Sequence, residues 1–125
     1  MAFKILIVDD SKLARMAVAK VLNTLRPEWA RVEATDAAEA MALIRQNDID
    51  ITLLDFNMPG RDGLELAADL KMIRPEMPVA VISANVQREV VTRAGEAGAA
   101  FLPKPLTESA LAAFLDEAEQ RVGKA

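Results

Sequence analysis

Two adjacent aspartates, Asp9-Asp10, close the first apolar run of the chain, Ile5-Leu6-Ile7-Val8. A third, Asp55, closes another run that contains Ile49, Ile51, Leu53 and Leu54; Ser83 ends Val79-Ala80-Val81-Ile82, and Lys104 follows Ala99 to Leu102. If those runs are strands of one parallel sheet, their carboxyl ends open on a single mouth, where open α/β sheets bind ligands. Asp9, Asp10, Asp55, Ser83 and Lys104 would then share it. Carboxylates crowded in this way repel: a pair about 4 Å apart costs roughly 4 kcal/mol at an effective dielectric of about 20. Such a site either raises a carboxylate pKa or takes up a cation. Oxygen-only donors favour Mg²⁺, with Mn²⁺ the alternative, and a small ion that keeps waters suits a phosphoryl substrate.

Composition narrows the chemistry further. The 125 residues contain no cysteine and no histidine, which removes disulfides, thiol catalysis, thiolate metal sites, the usual zinc ligand and the usual general base. Carboxylates, hydroxyls, amides, lysines and arginines are left. A formal net charge of -4 speaks against direct nucleic-acid binding, which relies on neutralising phosphates. No apolar run approaches the roughly 20 residues of a membrane span, and the N-terminal stretch stops at Asp9-Asp10 instead of resembling a signal peptide. The expectation is a cytoplasmic protein that touches neither membrane nor nucleic acid. The length fits one compact domain, residues 1–125.

The elements that must position these residues alternate regularly. Ile5 to Val8 reads as a strand buried on both faces. Leu13, Ala17, Val21 and Leu25, four apart, suggest the inner face of a helix capped by Asp10 or Ser11 and ended at Pro27. Ala30, Val32 and Ala34 alternate with Arg31, Glu33 and Thr35, the pattern of an edge strand. Asp36 with Glu39, and Asp62 with Glu65, look like capping boxes for two further helices. The second of these has Gly63, Leu66, Leu70 and Ile73 on its inner side. Val86, Val90, Ala94 and Ala97 predict a lean fourth helix; Thr107 caps a fifth that carries Leu111, Phe114, Leu115, Ala118 and Val122. Five strand–helix units imply an α/β fold with a parallel sheet covered on both faces.

Taken in order, Asp9-Asp10, Asp55, Asn57-Met58-Pro59-Gly60, Asp62-Gly63, Ser83-Ala84 and Lys104-Pro105 resemble the receiver domain of two-component response regulators, along essentially the whole chain. The likeness is strongest to stand-alone, CheY-like receivers, and it implies a doubly wound, flavodoxin-like sheet of order 2-1-3-4-5. It further implies that Asp55 accepts a phosphoryl group from a sensor histidine kinase or phosphotransfer protein. By the same resemblance Asp10 is the direct metal ligand, Asp9 its water-mediated helper, and Asn57 the donor of a backbone carbonyl. Lys104 and Ser83 would hold phosphoryl oxygens, and Ser83 with Phe101 would form the switch. A cis bond between Lys104 and Pro105 is implied too. The family's hydroxyl position is commonly threonine and its switch aromatic often tyrosine, so Ser83 and Phe101 are departures.

Each residue also has a plainer reading. Asp9-Asp10 and Ser83 could merely cap elements, Lys104 could be a solvated loop charge, and Phe101 could be core. Met58-Pro59-Gly60 and Asp62-Gly63 read as shapers of the loop beyond Asp55. The favoured function is a phosphorylation-gated signalling switch, with output through the fourth helix, fifth strand and fifth helix to a protein target the sequence does not identify. A phosphorelay intermediate or phosphate sink is the nearest alternative. A Mg²⁺-dependent phosphohydrolase of the haloacid-dehalogenase kind would want an aspartate where Asn57 stands. A receiver fold without chemistry would have no use for the full acidic set.

Overall fold

The computed structural model describes residues 3–58 and 61–122, with only the backbone of Arg61; Pro59 and Gly60 lie outside the described residues. Five parallel strands, β1 (Lys4–Val8), β2 (Ala30–Ala34), β3 (Ile51–Asp55), β4 (Val79–Ser83) and β5 (Ala100–Pro103), form one sheet. Their order is β2-β1-β3-β4-β5, as expected for the doubly wound arrangement. The helices α1 (Lys12–Leu25), α2 (Ala37–Gln46), α3 (Gly63–Ile73), α4 (Arg88–Glu96) and α5 (Glu108–Val122) alternate with them.

The apolar runs of β1 and β4 are continuous because both sheet faces are covered there, and successive side chains point to opposite sides. Leu6, Val8, Leu54, Val79 and Val81 face a layer built with Ala40 and Ile44 of α2, Leu66 and Leu70 of α3, and Val90 and Ala94 of α4. Ile5, Ile7, Ile51, Leu53 and Ile82 face the other layer, with Val18 and Leu22 of α1 and Leu111, Leu115 and Ala118 of α5. The edge strand β2 is mostly exposed.

Side-chain caps fix where the helices begin. Ser11, not Asp10, caps α1 by accepting the Ala14 N–H. Asp62 and Glu65 make a complete capping box on α3. At α2, Asp36 accepts from the Glu39 N–H, while the Glu39 carboxylate takes the N–H of Thr35, one residue before the cap. Thr107 accepts from the Ala110 N–H at the start of α5.

Two expectations are corrected. The stripe Leu13, Ala17, Val21 and Leu25 is not the buried face of α1: Val18 and Leu22 are buried, Val21 and Leu25 only flank them, and Leu13 is 78% exposed. Steps of four residues turn about 400°, so each advances the stripe by about 40° around the helix and Leu13 ends about 120° from Leu25. Val86 precedes α4 and is exposed, so that helix starts later than its apolar spacing suggested. A short antiparallel pair, Asn57–Met58 with Arg61–Asp62, follows β3 and was not anticipated.

Candidate functional site

The register of the sheet brings the acidic residues to one rim. Asp55 is the last residue of β3 and pairs with Ile82 of β4, so Ser83 lies one position further along its neighbour. Asp9 extends β1 by one step, its N–H donating to the Ala34 carbonyl at 3.1 Å. The ladder between β4 and β5 likewise runs on, with the Lys104 N–H donating to the Ser83 carbonyl at 2.9 Å. The Lys104–Pro105 peptide is cis.

Carboxylate oxygens of Asp9, Asp10 and Asp55 lie within 4.8 Å of one another. Asp55 is 5% and Asp9 7% exposed, whereas Asp10 faces solvent. Lys104 reaches across the rim, and its Nζ donates to Asp55 Oδ1 at 2.8 Å. Asp9 Oδ1 accepts the Ser11 N–H at 2.9 Å. Burial holds the Asp9 carboxyl above its ordinary range; the Ser11 N–H and the Lys104 charge oppose that shift, and the charges of Asp55 and Asp10 add to it. A divalent cation would relieve this repulsion. Three crowded oxygen donors, without nitrogen or sulfur, fit a hard ion of the Mg²⁺ type.

Asn57 and Asp10 line one cleft of about 300 Å³ together with Phe56, Met58 and Asp62. Ser83 is fully buried, and its Oγ accepts the Asn85 N–H at 2.9 Å. That leaves its own O–H free to turn toward a new acceptor. Phe101 is different: it sits half-buried on β5, packed against the core layer beneath α2, α3 and α4.

Several contributors were not legible beforehand. A Cβ on Gly63 would stand 2.4 Å from the Asp55 carbonyl oxygen and 2.9 Å from Phe56 Cα, so only glycine lets α3 start this close to the end of β3. Its N–H also donates to the Phe56 carbonyl at 2.7 Å. Arg15 donates to the Asp9 carbonyl at 2.6 Å and to Glu33 at 2.8 Å. Asp62 pairs with Arg93 of α4 at 3.3 Å. The Asp62 cap and the inward placing of Gly63 had a signal in the sequence; long-range reach by an arginine has none.

Beside the acids runs a second, more apolar cleft of about 590 Å³, between α1 (Ala14, Ala17, Val21) and the segment Lys104 to Leu106. Leu13 and Met16 on the same helix are exposed. Among the described residues no helix is long and apolar enough to cross a membrane.

This geometry has close counterparts. The family model for the response regulator receiver domain matches residues 5–116. Chemotaxis protein CheY-3 of Vibrio cholerae is 35% identical over 95% of this chain and 93% of its own length. A protein-glutamate methylesterase/protein-glutamine glutaminase of Thiobacillus denitrificans is 41% identical over 84% of this chain, which there corresponds to 30% of the longer protein. Among solved structures, chemotaxis protein CheY4 of Vibrio cholerae superposes with a TM-score of 0.84 at 26% identity, covering 94% of this chain and 99% of that one. A match running through all five strands, joined to this sheet order and this acidic rim, makes the chain a member of the response regulator receiver domain family.

Proposed function

We propose that residues 1–125 act as one phosphorylation-gated receiver module, in which Asp55 takes a phosphoryl group from a phosphohistidine on a sensor histidine kinase or phosphotransfer protein. The observation that carries this reading is Lys104 Nζ at 2.8 Å from Asp55 Oδ1, on a rim shared with the Asp9 and Asp10 carboxylates. Asp9, Asp10, Asp55 and the Asn57 backbone carbonyl would hold Mg²⁺, with Mn²⁺ a substitute; the ion supplies charge neutralisation at the transferring phosphoryl group.

The chain's own residues do the positioning. A carboxylate oxygen of Asp55 attacks phosphorus, the P–N bond of the donor breaks, and the electron pair leaves with the imidazole. Lys104 moves from Asp55 to a phosphoryl oxygen, and the Ser83 O–H donates to another. Drawing Ser83 toward the phosphoryl group frees space beside β4 and lets Phe101 turn inward. The change is read on α4, β5 and α5, where Val91 of α4, and Val86 just ahead of that helix, already stand exposed. Moving such an equilibrium from 1:99 to 99:1 takes about 5.5 kcal/mol of differential interaction.

The cleft along α1 suits an apolar surface of the donor protein, because it ends at Lys104 and Asp9. A donor docked there would present its phosphohistidine to the rim. Such donors are charged from ATP, which argues for the cytoplasm. The decisive experiment is labelling with a phosphorylated kinase and with acetyl phosphate. Asp55→Asn should accept no phosphoryl group from either, and stable aspartyl-phosphate chemistry in that variant would refute the assignment.

A further inference from the structure

We propose that Arg15, held by Glu33, is a positioning residue that aims the Asp10 carboxylate at the metal; the inference rests on the metal reading of the acidic rim. Asp10 is exposed and stands between two peptide groups, one fixed from outside the rim by Arg15 and the other by the neighbouring Asp9 carboxylate. The Asp9–Asp10 peptide is held through its carbonyl oxygen, which accepts from Arg15 Nη1 at 2.6 Å. The Asp10–Ser11 peptide is held through its N–H, which donates to Asp9 Oδ1 at 2.9 Å. With both planes fixed, φ and ψ of Asp10 are set, and so is the direction of its Cα–Cβ bond.

Arg15 is well placed to act as the outer anchor. Its own backbone is fixed in the first turns of α1, where its N–H donates to the Ser11 carbonyl at 3.0 Å. Its Nε donates to Glu33 Oε1 at 2.8 Å, and its side chain is only 12% exposed. One guanidinium therefore ties α1, β2 and the turn after β1 together. Glu33 compensates the positive charge, so the contribution to the rim is geometric. The Asp9 carbonyl lies just beyond the last paired residue of β1, where no further strand position continues the ladder. Arginine supplies the donor that the sheet does not.

The test measures Mn²⁺ uptake by the full chain, from the loss of the free-ion electron paramagnetic resonance signal, with no phosphorylation involved. Arg15→Met fills similar volume but removes both hydrogen bonds. It should raise the Mn²⁺ Kd about tenfold or more, the usual cost of losing a partner that orients a metal ligand. Arg15→Lys, which keeps one donor for the Asp9 carbonyl, should recover part of that loss. A purely structural role would lower the melting temperature in chelator and leave the Kd at 25 °C untouched. A folded Arg15→Met protein with wild-type Kd overturns the inference. Should that variant not fold, Glu33→Ala carries the test: it should bind Mn²⁺ several-fold more weakly, and wild-type affinity would overturn the pairing. Wild-type protein that takes up no Mn²⁺ would overturn the metal reading itself, and this inference with it.

Discussion

Asp9 carries a clear electrostatic cost. Its carboxyl is held above the ordinary value of 3.8, chiefly by burial, so the folded state takes up its proton more readily than the unfolded chain. The stabilisation from protonating it is complete at acid pH and is lost as pH rises through the raised folded value. At neutral pH the ionised group therefore opposes folding. In chelator at pH 7, Asp9→Asn should melt higher than wild type, by roughly 3–5 °C if the relief is about 1 kcal/mol. That gain should shrink as the pH is taken down toward the ordinary aspartate range, and a melting curve with the opposite trend would contradict the burial argument. Adding Mg²⁺ should raise wild type more than the variant. At this scale the sequence was informative where residue type and strand end coincide, as for Asp9, Asp10, Asp55, Ser83 and Lys104. It was silent on Arg15, because a guanidinium reaching a backbone carbonyl leaves no periodicity.

Between residue and fold, α1 and the start of α3 explain how a rim stays both rigid and accessible. The apolar face of α1 buries Val18 and Leu22 and runs on at one side into the open cleft, where Ala14, Ala17 and Val21 join Val18 along its wall. A pattern of i+4 spacings reads as one core stripe, and its drift of about 40° per step carries Leu13 out of the buried face. The continuous runs of β1 and β4 carried no such ambiguity, since burial on both faces leaves no phase to mistake. If the open face receives the donor protein, Ala17→Asp should slow phosphotransfer from a histidine kinase far more than labelling by acetyl phosphate. Equal slowing in stopped-time assays with both donors would remove the docking role. At α3, Gly63 was legible as an inward position but not as a steric requirement. Gly63→Ala must push a Cβ away from the Asp55 carbonyl, the Leu54 side chain and Phe56 Cα. Overpacking of this kind costs about 1–3 kcal/mol. The displaced atoms carry Asp55, so labelling should fall even at temperatures where the variant is folded, as judged by circular dichroism.

On the scale of the whole molecule, chemistry and stapling sit at opposite ends of the sheet. The acids lie at the carboxyl ends of the strands, whereas Arg26, at the end of α1, works near their amino ends. It pairs with Asp116 at 2.5 Å and Glu119 at 2.7 Å on α5, and its guanidinium lies 5.5 Å from the centre of the Trp29 ring. Trp29 in turn stacks on Phe3, with ring centroids 4.8 Å apart. This cluster joins the two helices that cover one face of the sheet. Both acids are partly exposed, so the ion pairs must be discounted for screening, and removing them should cost about 1 kcal/mol. Arg26→Met should accordingly melt roughly 3–5 °C lower, with the deficit narrowing in high salt as wild type loses its own pairs. Mn²⁺ affinity and acetyl phosphate labelling at 25 °C should match wild type, because nothing in the cluster touches Asp9, Asp10, Asp55 or Lys104. A labelling rate that fell along with the melting temperature would mean that the two ends of the sheet are coupled, and that the rim depends on how α1 and α5 are joined beneath it.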